Sequence, residues 1–261
     1  MKIGRIVFDR TEAGLSAFRS AGMSFAEICL NFREDDERLL AEVDALRAAI
    51  AASGLPVSCL GRWNHAVQEN SSLLKDEVSR YLSLVDAAAA IGAKTFVVGC
   101  NYDPSISLYK NYQNAIDFLG ALAERAKPHG IRVAVQNCDW NNFIVSPREW
   151  EVVLGELPDL FIKYDPSHAY NRGADYLAEL SDWGERVAHM HIKGCVKAGH
   201  HPIDDPPAGM DDLRWGAIFA ILYARGYDGD LSIEPHSKTW RGERGEAGVA
   251  FTKRYIEKFI V

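Results

Sequence analysis

Short apolar runs alternate with longer stretches whose apolar residues recur at helical spacing, and the alternation continues along the whole chain. The runs Lys2–Phe8, Phe25–Leu30, Val57–Leu60, Lys94–Gly99, Ile131–Val135, Phe161–Tyr164, Val187–Ile192 and Leu231–Ile233 read as strands. Helical stretches follow them at Glu12–Ala21, Asp35–Ser53, Leu73–Ile91, Leu108–Ala126, Pro147–Leu154, Ala174–Trp183, Leu213–Ala224 and Gly245–Phe259. In Asp35–Ser53, for example, Leu39, Leu40, Val43, Leu46 and Ile50 fall at helical spacing, and Gly54 and Pro56 close the helix. Ser146 as N-cap with Pro147 behind it opens another. Eight strands alternating with eight helices predict an α/β fold, a single (β/α)8 TIM barrel of parallel strands occupying residues 1–261 as one domain. The one long irregular segment, Gly194–Asp212, follows the seventh strand and is a lid candidate, because loops of that length in compact domains are usually functional.

Composition adds few constraints. Of the 261 residues, 48% are hydrophobic and 25% charged, as in an ordinary globular domain. The net charge of −7 argues against a nucleic-acid surface, which needs clustered Lys and Arg. Cys29, Cys59, Cys100, Cys138 and Cys195 are odd in number and scattered, the pattern of a reducing compartment. The N-terminus reads as a strand rather than a signal peptide, and no apolar run approaches the roughly 18 residues of a membrane helix. These features predict a cytoplasmic protein with neither nucleic-acid nor membrane partners.

Chemistry-bearing residues gather where strands end, which in a barrel is where the active site is built. Phe161–His168 is an apolar run that stops at Asp165, is broken by Pro166 and places His168 three residues on. Asp165 taken alone could equally be a helix N-cap or turn residue. In Ala188-His-Met-His-Ile192 the period of two puts His189 and His191 on one strand face. His189, the deeper, reads as a satisfied core histidine, and His191, nearer the end, as a ligand. Glu234 follows Leu231-Ser-Ile, where a carboxylate needs a partner or a metal. Gln136 ends the fifth strand and offers an amide oxygen. Asp165, His191, Glu234 and Gln136 together suit Mn, Mg or Co, and Zn less clearly. Trp63, Asn64 and His65 after the third strand, and Asn137, Trp140, Asn141 and Asn142 after the fifth, combine flat apolar faces with amides, as a sugar pocket requires; Trp63 and Trp140 serve equally well as loop packing.

The order of an amide after strand five, Asp165-x-x-His168 after strand six, His189-x-His191 on strand seven and Glu234 after strand eight resembles the sugar phosphate isomerase/epimerase superfamily. These are the xylose-isomerase-like barrels that include endonuclease IV, the AP endonuclease family 2 type. Gly226-Tyr-Asp-Gly-Asp-Leu-Ser-Ile-Glu234 is similar to the family's run into its last ligand. The resemblance covers essentially the whole chain. It implies a divalent metal held by Asp165, His191 and Glu234, with the residue after strand five as fourth ligand. It also implies His168 on the substrate and Glu234 in proton transfer, in association as dimers or tetramers, although no interface is legible in the sequence.

The family's epimerases carry a glutamate where this chain has Gln136, and that glutamate is one of their two proton-transfer groups. The expected function is therefore a divalent-metal-dependent isomerase or epimerase of a sugar or keto-sugar, working by proton transfer next to a carbonyl. The catalytic residues would be Glu234 and His168. The substrate would meet Trp63, His65, Asn137, Trp140, Lys193 and His236. One base beside a Lewis acid also suffices for a lyase, hydratase or deglycosidase acting on an oxidised (3-keto) sugar or glycoside, and Gln136 favours that alternative. A barrel that only binds sugar or a partner is a further reading. An abasic-site endonuclease fits poorly, since among early strand ends only His65 supplies a further ligand and the chain is acidic.

Overall fold

The computed structural model describes residues 1–261, and eight parallel strands close into a barrel. The strands are β1 (Lys2–Val7), β2 (Ala26–Leu30), β3 (Val57–Arg62), β4 (Thr95–Val98), β5 (Arg132–Gln136), β6 (Leu160–Tyr164), β7 (Val187–Ile192) and β8 (Asp230–Ile233). Each pairs with its sequence neighbours, and β1 closes the ring on β8 with Lys2 opposite Asp230 and Arg5 opposite Ile233. The helices outside are α1 (Glu12–Ser20), α2 (Arg33–Ser53), α3 (Lys75–Ala90), α4 (Leu108–Ala126), α5 (Pro147–Glu156), α6 (Pro166–Arg172), α7 (Tyr176–Trp183), α8 (Trp215–Ala224) and α9 (Gly242–Ile256).

Two apolar cores follow from the alternation of strand faces. The large one lies between strands and helices and includes Ile28, Leu60, Phe96, Val133, Ile162, Met190 and Leu231 against Leu39, Leu84, Phe118, Trp150 and Ile218. A small one, Cys59, Trp63, Val97, Ala134 and Ala188 with Phe161 and Cys29 against it, is separate. Cys59, Val97, Ala134 and Phe161 have the strand parity of Glu27 and Gln136 and belong to the barrel interior. Above this small plug the interior residues turn polar: Glu27, Gln136, Lys163, His189 and His191 are all buried.

The expected strands and helices are present, with boundaries displaced by a few residues. Three elements differ in kind, the first a short antiparallel hairpin, Gln68–Glu69 with Ser72–Leu73, that precedes α3 and takes Leu73 out of the helix. The stretch after Asp165 forms a seven-residue helix of its own, α6, before α7 begins. Pro-Ser-His-Ala-Tyr-Asn-Arg has no apolar period to betray a helix; its signals are at the ends. Asp165 caps it through Ser167 N, Pro166 occupies its first turn and Gly173 ends it at φ +76°. The Gly194–Asp212 segment is less irregular than expected, since it carries an antiparallel hairpin, Val196–Ala198 with His201–Asp204. No helix is long and apolar enough to cross a membrane.

Candidate active site

The carboxyl ends of β5 to β8 bring the buried polar residues together. Asp165 is the first residue past β6, and its two oxygens are divided between tasks. Oδ1 accepts the Ser167 N–H at 2.9 Å, fixing the start of α6, which leaves Oδ2 aimed across the barrel mouth without a hydrogen-bond donor. The backbone around it is held from β5. Asn137 accepts the Asp165 N–H and donates to its C=O, both at 2.9 Å.

His191 on β7 and Glu234 after β8 complete a triad. His191 Nδ1 lies 3.3 Å from Glu234 Oε2. One donor atom each from Asp165, His191 and Glu234 falls within 4.8 Å of the others. The other nitrogen of His191, Nε2, faces Glu27 of β2 at 3.0 and 3.1 Å. Glu27 also meets His189 Nε2 at 2.9 Å. A completely buried carboxylate thus fixes both rings. Burial opposes its ionisation, but His191 and His189 outweigh burial and hold the Glu27 carboxyl well below the usual range.

Lys193, one residue past β7, is the cation of the site. Its Nζ lies 3.2 Å from Asp165 Oδ2, 3.2 Å from Glu234 Oε2 and 3.2 Å from His168 Nε2. The histidine is its one well-aligned hydrogen-bond partner, while the two oxygens are ionic neighbours. Burial would lower the Lys193 pKa, yet Asp165 and Glu234 raise it. In return, and against their own burial, Lys193 holds both carboxyls below the ordinary range, with His191 adding to the effect at Glu234. His168 goes the other way. Burial first and the Lys193 charge second depress it to about 3, so at neutral pH its Nε2 is a neutral acceptor for the Lys193 N–H.

These groups line a cavity of about 340 Å³ open at the barrel mouth, a size suited to a small molecule. Trp63, His168, His191, Lys193, Glu234, His236 and Trp140 face it, together with Ile6, Phe8, Cys29, Asn31, Cys138 and Lys163. Trp63 is nearly buried with its ring beside His191, while Phe8 and Trp140 are exposed at the rim. His236 is tied to Asp205 at 2.9 Å, and Ser237 donates to Asp204 at 2.6 Å, so the segment after β7 is fastened to the loop after β8.

Three expectations are corrected. Asn137 does not reach the cavity, because both ends of its amide are used on the Asp165 backbone; it positions that residue instead of binding sugar. His65 is not among the residues that line the cavity. Arg62 before it turns into a buried pair with Asp36 at 2.6 Å, stacked 4.2 Å over Tyr81, and His65 sits near that charge, its ring held below the ordinary value by burial and Arg62. His189 is only half satisfied, since its Nδ1 has no partner. Gln136 does not line the cavity either, though both of its buried amide atoms lack any partner. Its Nε2 lies 3.0 Å from where a Cβ on Gly99 would sit, so a side chain at position 99 would collide with it.

Two residues escaped the sequence. Glu27 sits inside Ala26–Leu30, where a charge in an apolar run looks like a solvent-facing position. The only signal was that this run belongs to a parallel, fully covered strand. Lys163 in Phe-Ile-Lys-Tyr had the same signal and shares the inward parity of Asp165.

The donor set fits a divalent cation. Asp165 Oδ2 is buried without an aligned donor, and Glu27 engages Nε2 of His191 so that Nδ1 is the nitrogen turned to Glu234 and the triad.

Residues 15–255 match a family model described as the xylose isomerase-like TIM barrel. No curated protein matches the sequence. Among solved structures, the chain is similar to the 3-keto-D-glucoside 4-epimerase of E. coli in its apo form, with 17% identity, TM-score 0.77 and 99% of each chain covered. It is similar to the D-allulose 3-epimerase of a Methylomonas species at 18% identity and TM-score 0.78, covering 99% of this chain and 98% of that one. A D-psicose 3-epimerase from Clostridium cellulolyticum H10 aligns at 15% identity and TM-score 0.76, covering 98% of this chain and 99% of that one.

Proposed function

We propose that this chain, which belongs to the xylose isomerase-like TIM barrel family, is a divalent-metal-dependent isomerase or epimerase of a sugar or keto-sugar that moves a proton next to a carbonyl. The observation that carries this reading is the convergence of Asp165, His191 and Glu234 at one end of the barrel, beside a cavity of small-molecule size. Asp165 spends only Oδ1 on capping α6, and the Glu234 carboxylate, partly exposed, meets side chains alone, so the fold does not account for their convergence. Asp165, His191 and Glu234 would hold the ion, with the Gln136 amide oxygen as a fourth donor. The ion would be Mn, Mg, Co or Zn, and when bound it would supply charge that stabilises a developing oxyanion.

The residues of the chain do the rest. Glu234, ionised and 21% exposed to the cavity, takes the proton from the carbon beside the carbonyl. His168, neutral, accepts a hydrogen bond from a sugar hydroxyl. Lys193 supplies positive charge to the substrate oxygens. Trp63 walls the cavity against water, and Trp140 and His236 close its rim. Names of similar structures, a 3-keto-D-glucoside 4-epimerase and two ketose 3-epimerases, are in keeping with this substrate class. The odd, scattered cysteines, all free, suit a cytoplasmic enzyme.

A second reading is a lyase or deglycosidase acting on a 3-keto glycoside. It is favoured by one observation: Glu234 is the only carboxylate among the residues lining the cavity. Elimination needs one base, whereas epimerisation by two carboxylates needs two. Incubating the metal-loaded protein in deuterated water with ketoses and 3-keto glycosides separates the readings. Deuterium entering recovered or epimerised sugar supports the first, and release of the aglycone supports the second. Neither exchange nor cleavage on any of these compounds would reject both.

A further inference from the structure

The Lys193 ammonium and the candidate metal triad make claims on the same two carboxylates. Asp165 Oδ2 and Glu234 Oε2 each lie 3.2 Å from Lys193 Nζ. A ligand oxygen of each of these carboxylates also lies within 4.8 Å of the other and of a His191 nitrogen. A divalent cation bonded to both oxygens at about 2.0–2.2 Å would stand within a few ångströms of the ammonium. In so buried a place the two positive charges repel with little screening.

The ammonium is held between the carboxylates by charge more than by hydrogen bonds. It neutralises the two carboxylates without an aligned hydrogen bond to either, and Asp165 Oδ2 is left without a donor. Its one aligned partner is His168 Nε2, at the edge of the cavity. The four-carbon stem of a lysine leaves the way into that cavity open, and Lys193 is itself among its lining residues.

We propose that Lys193 and a divalent cation are alternative occupants of the space between Asp165 and Glu234, so that loading the cation turns the ammonium out into the cavity toward the substrate. This rests on the metal-dependent reading of the site. Lys193 would then neutralise two carboxylates that would otherwise repel each other in the metal-free protein. It would become a substrate-facing cation only once the site is loaded, which couples assembly of the sugar site to metal.

The experiment compares Mn²⁺ binding by titration calorimetry in wild-type protein and Lys193→Met, with modification of Lys193 by an amine reagent followed by mass spectrometry in wild type with and without Mn²⁺. The expected results are binding about tenfold or more tighter in K193M, where no positive charge has to be displaced, and faster modification of Lys193 when Mn²⁺ is present. Uptake of Mn²⁺ by K193M alone would support the exclusion while rejecting metal dependence of the natural chain. Equal binding in both proteins with unchanged modification would overturn the inference and leave the metal reading standing. Binding by neither protein would overturn both. Should K193M fail to fold without metal, the modification rates in wild type decide the matter alone.

Discussion

Glu27 Oε1 lies 3.0 Å from Nε2 of His191, across the barrel from the face that His191 turns to Glu234. A carboxylate on one ring nitrogen sets the tautomer and leaves the other nitrogen as a lone-pair donor, the usual arrangement behind a metal-binding histidine. The second strand therefore takes part in a site whose candidate ligands, Asp165, His191 and Glu234, all come from β6 to β8.

Removing that carboxylate should be costly in two ways. Glu27→Ala strands two buried imidazoles and is expected to lose about 3–5 kcal/mol of stability. Glu27→Gln keeps the volume and is expected to weaken metal binding by about 10–100-fold. Chemical denaturation and calorimetric metal titration measure the two effects. A Gln variant that binds metal like wild type would show that Glu27 serves the core alone.

Gln136 is an amide with nothing to bond. Leaving both polar atoms buried and unpartnered costs stability that an apolar side chain of similar shape would not. Gln136→Met is expected to raise the melting temperature of the metal-free protein and to weaken metal binding, and Gln136→Glu to strengthen it. A Met variant that is more stable and binds metal unchanged would remove Gln136 from the ligand set.

How far the sequence reaches can be seen from these residues. The barrel was legible because its strands are short apolar runs separated by helical periods. Asp165, His191 and Glu234 were legible because each stands where such a run ends. Glu27 and Lys163 were not, since a charge inside an apolar run points inward or outward depending on register, and register comes from neighbouring strands. Asn137 was assigned to the sugar on residue type, and the fold uses it up on the Asp165 backbone. Caps revealed α6 only in retrospect, because a seven-residue helix is too short to show a period.

The base of the segment after β7 should respond to pH. Asp211 accepts from Gly209 N and from Trp215 Nε1, and burial raises its carboxyl from 3.8 to about 6 despite those bonds. Between those values the folded chain binds a proton there that the unfolded chain does not. This group's contribution is therefore fully present below pH 3.8 and is lost as pH rises through about 6. Asp211→Asn is expected to match wild type near pH 4 and to be the more stable protein at pH 7.5. Thermal melts across that range test it, and a constant difference would contradict it.

The aromatic rim is predicted to bind and not to catalyse. Trp140 is 45% exposed at the cavity mouth, so Trp140→Ala should change stability by no more than about 0.5 kcal/mol. It should raise KM for the sugar with kcat little changed, a split that steady-state kinetics reads directly. A fall in kcat alone would place the indole nearer the reacting atoms.

Asp165, His191 and Glu234 are proposed to hold a catalytic divalent ion. The most direct test is elemental analysis of protein purified without chelator, beside the Asp165→Ala/Glu234→Ala double variant. About one Mn, Co, Mg or Zn per chain is expected in the wild type and none in the variant, with the fold retained by circular dichroism. No metal in either protein, and no uptake when metal is added, would contradict that assignment.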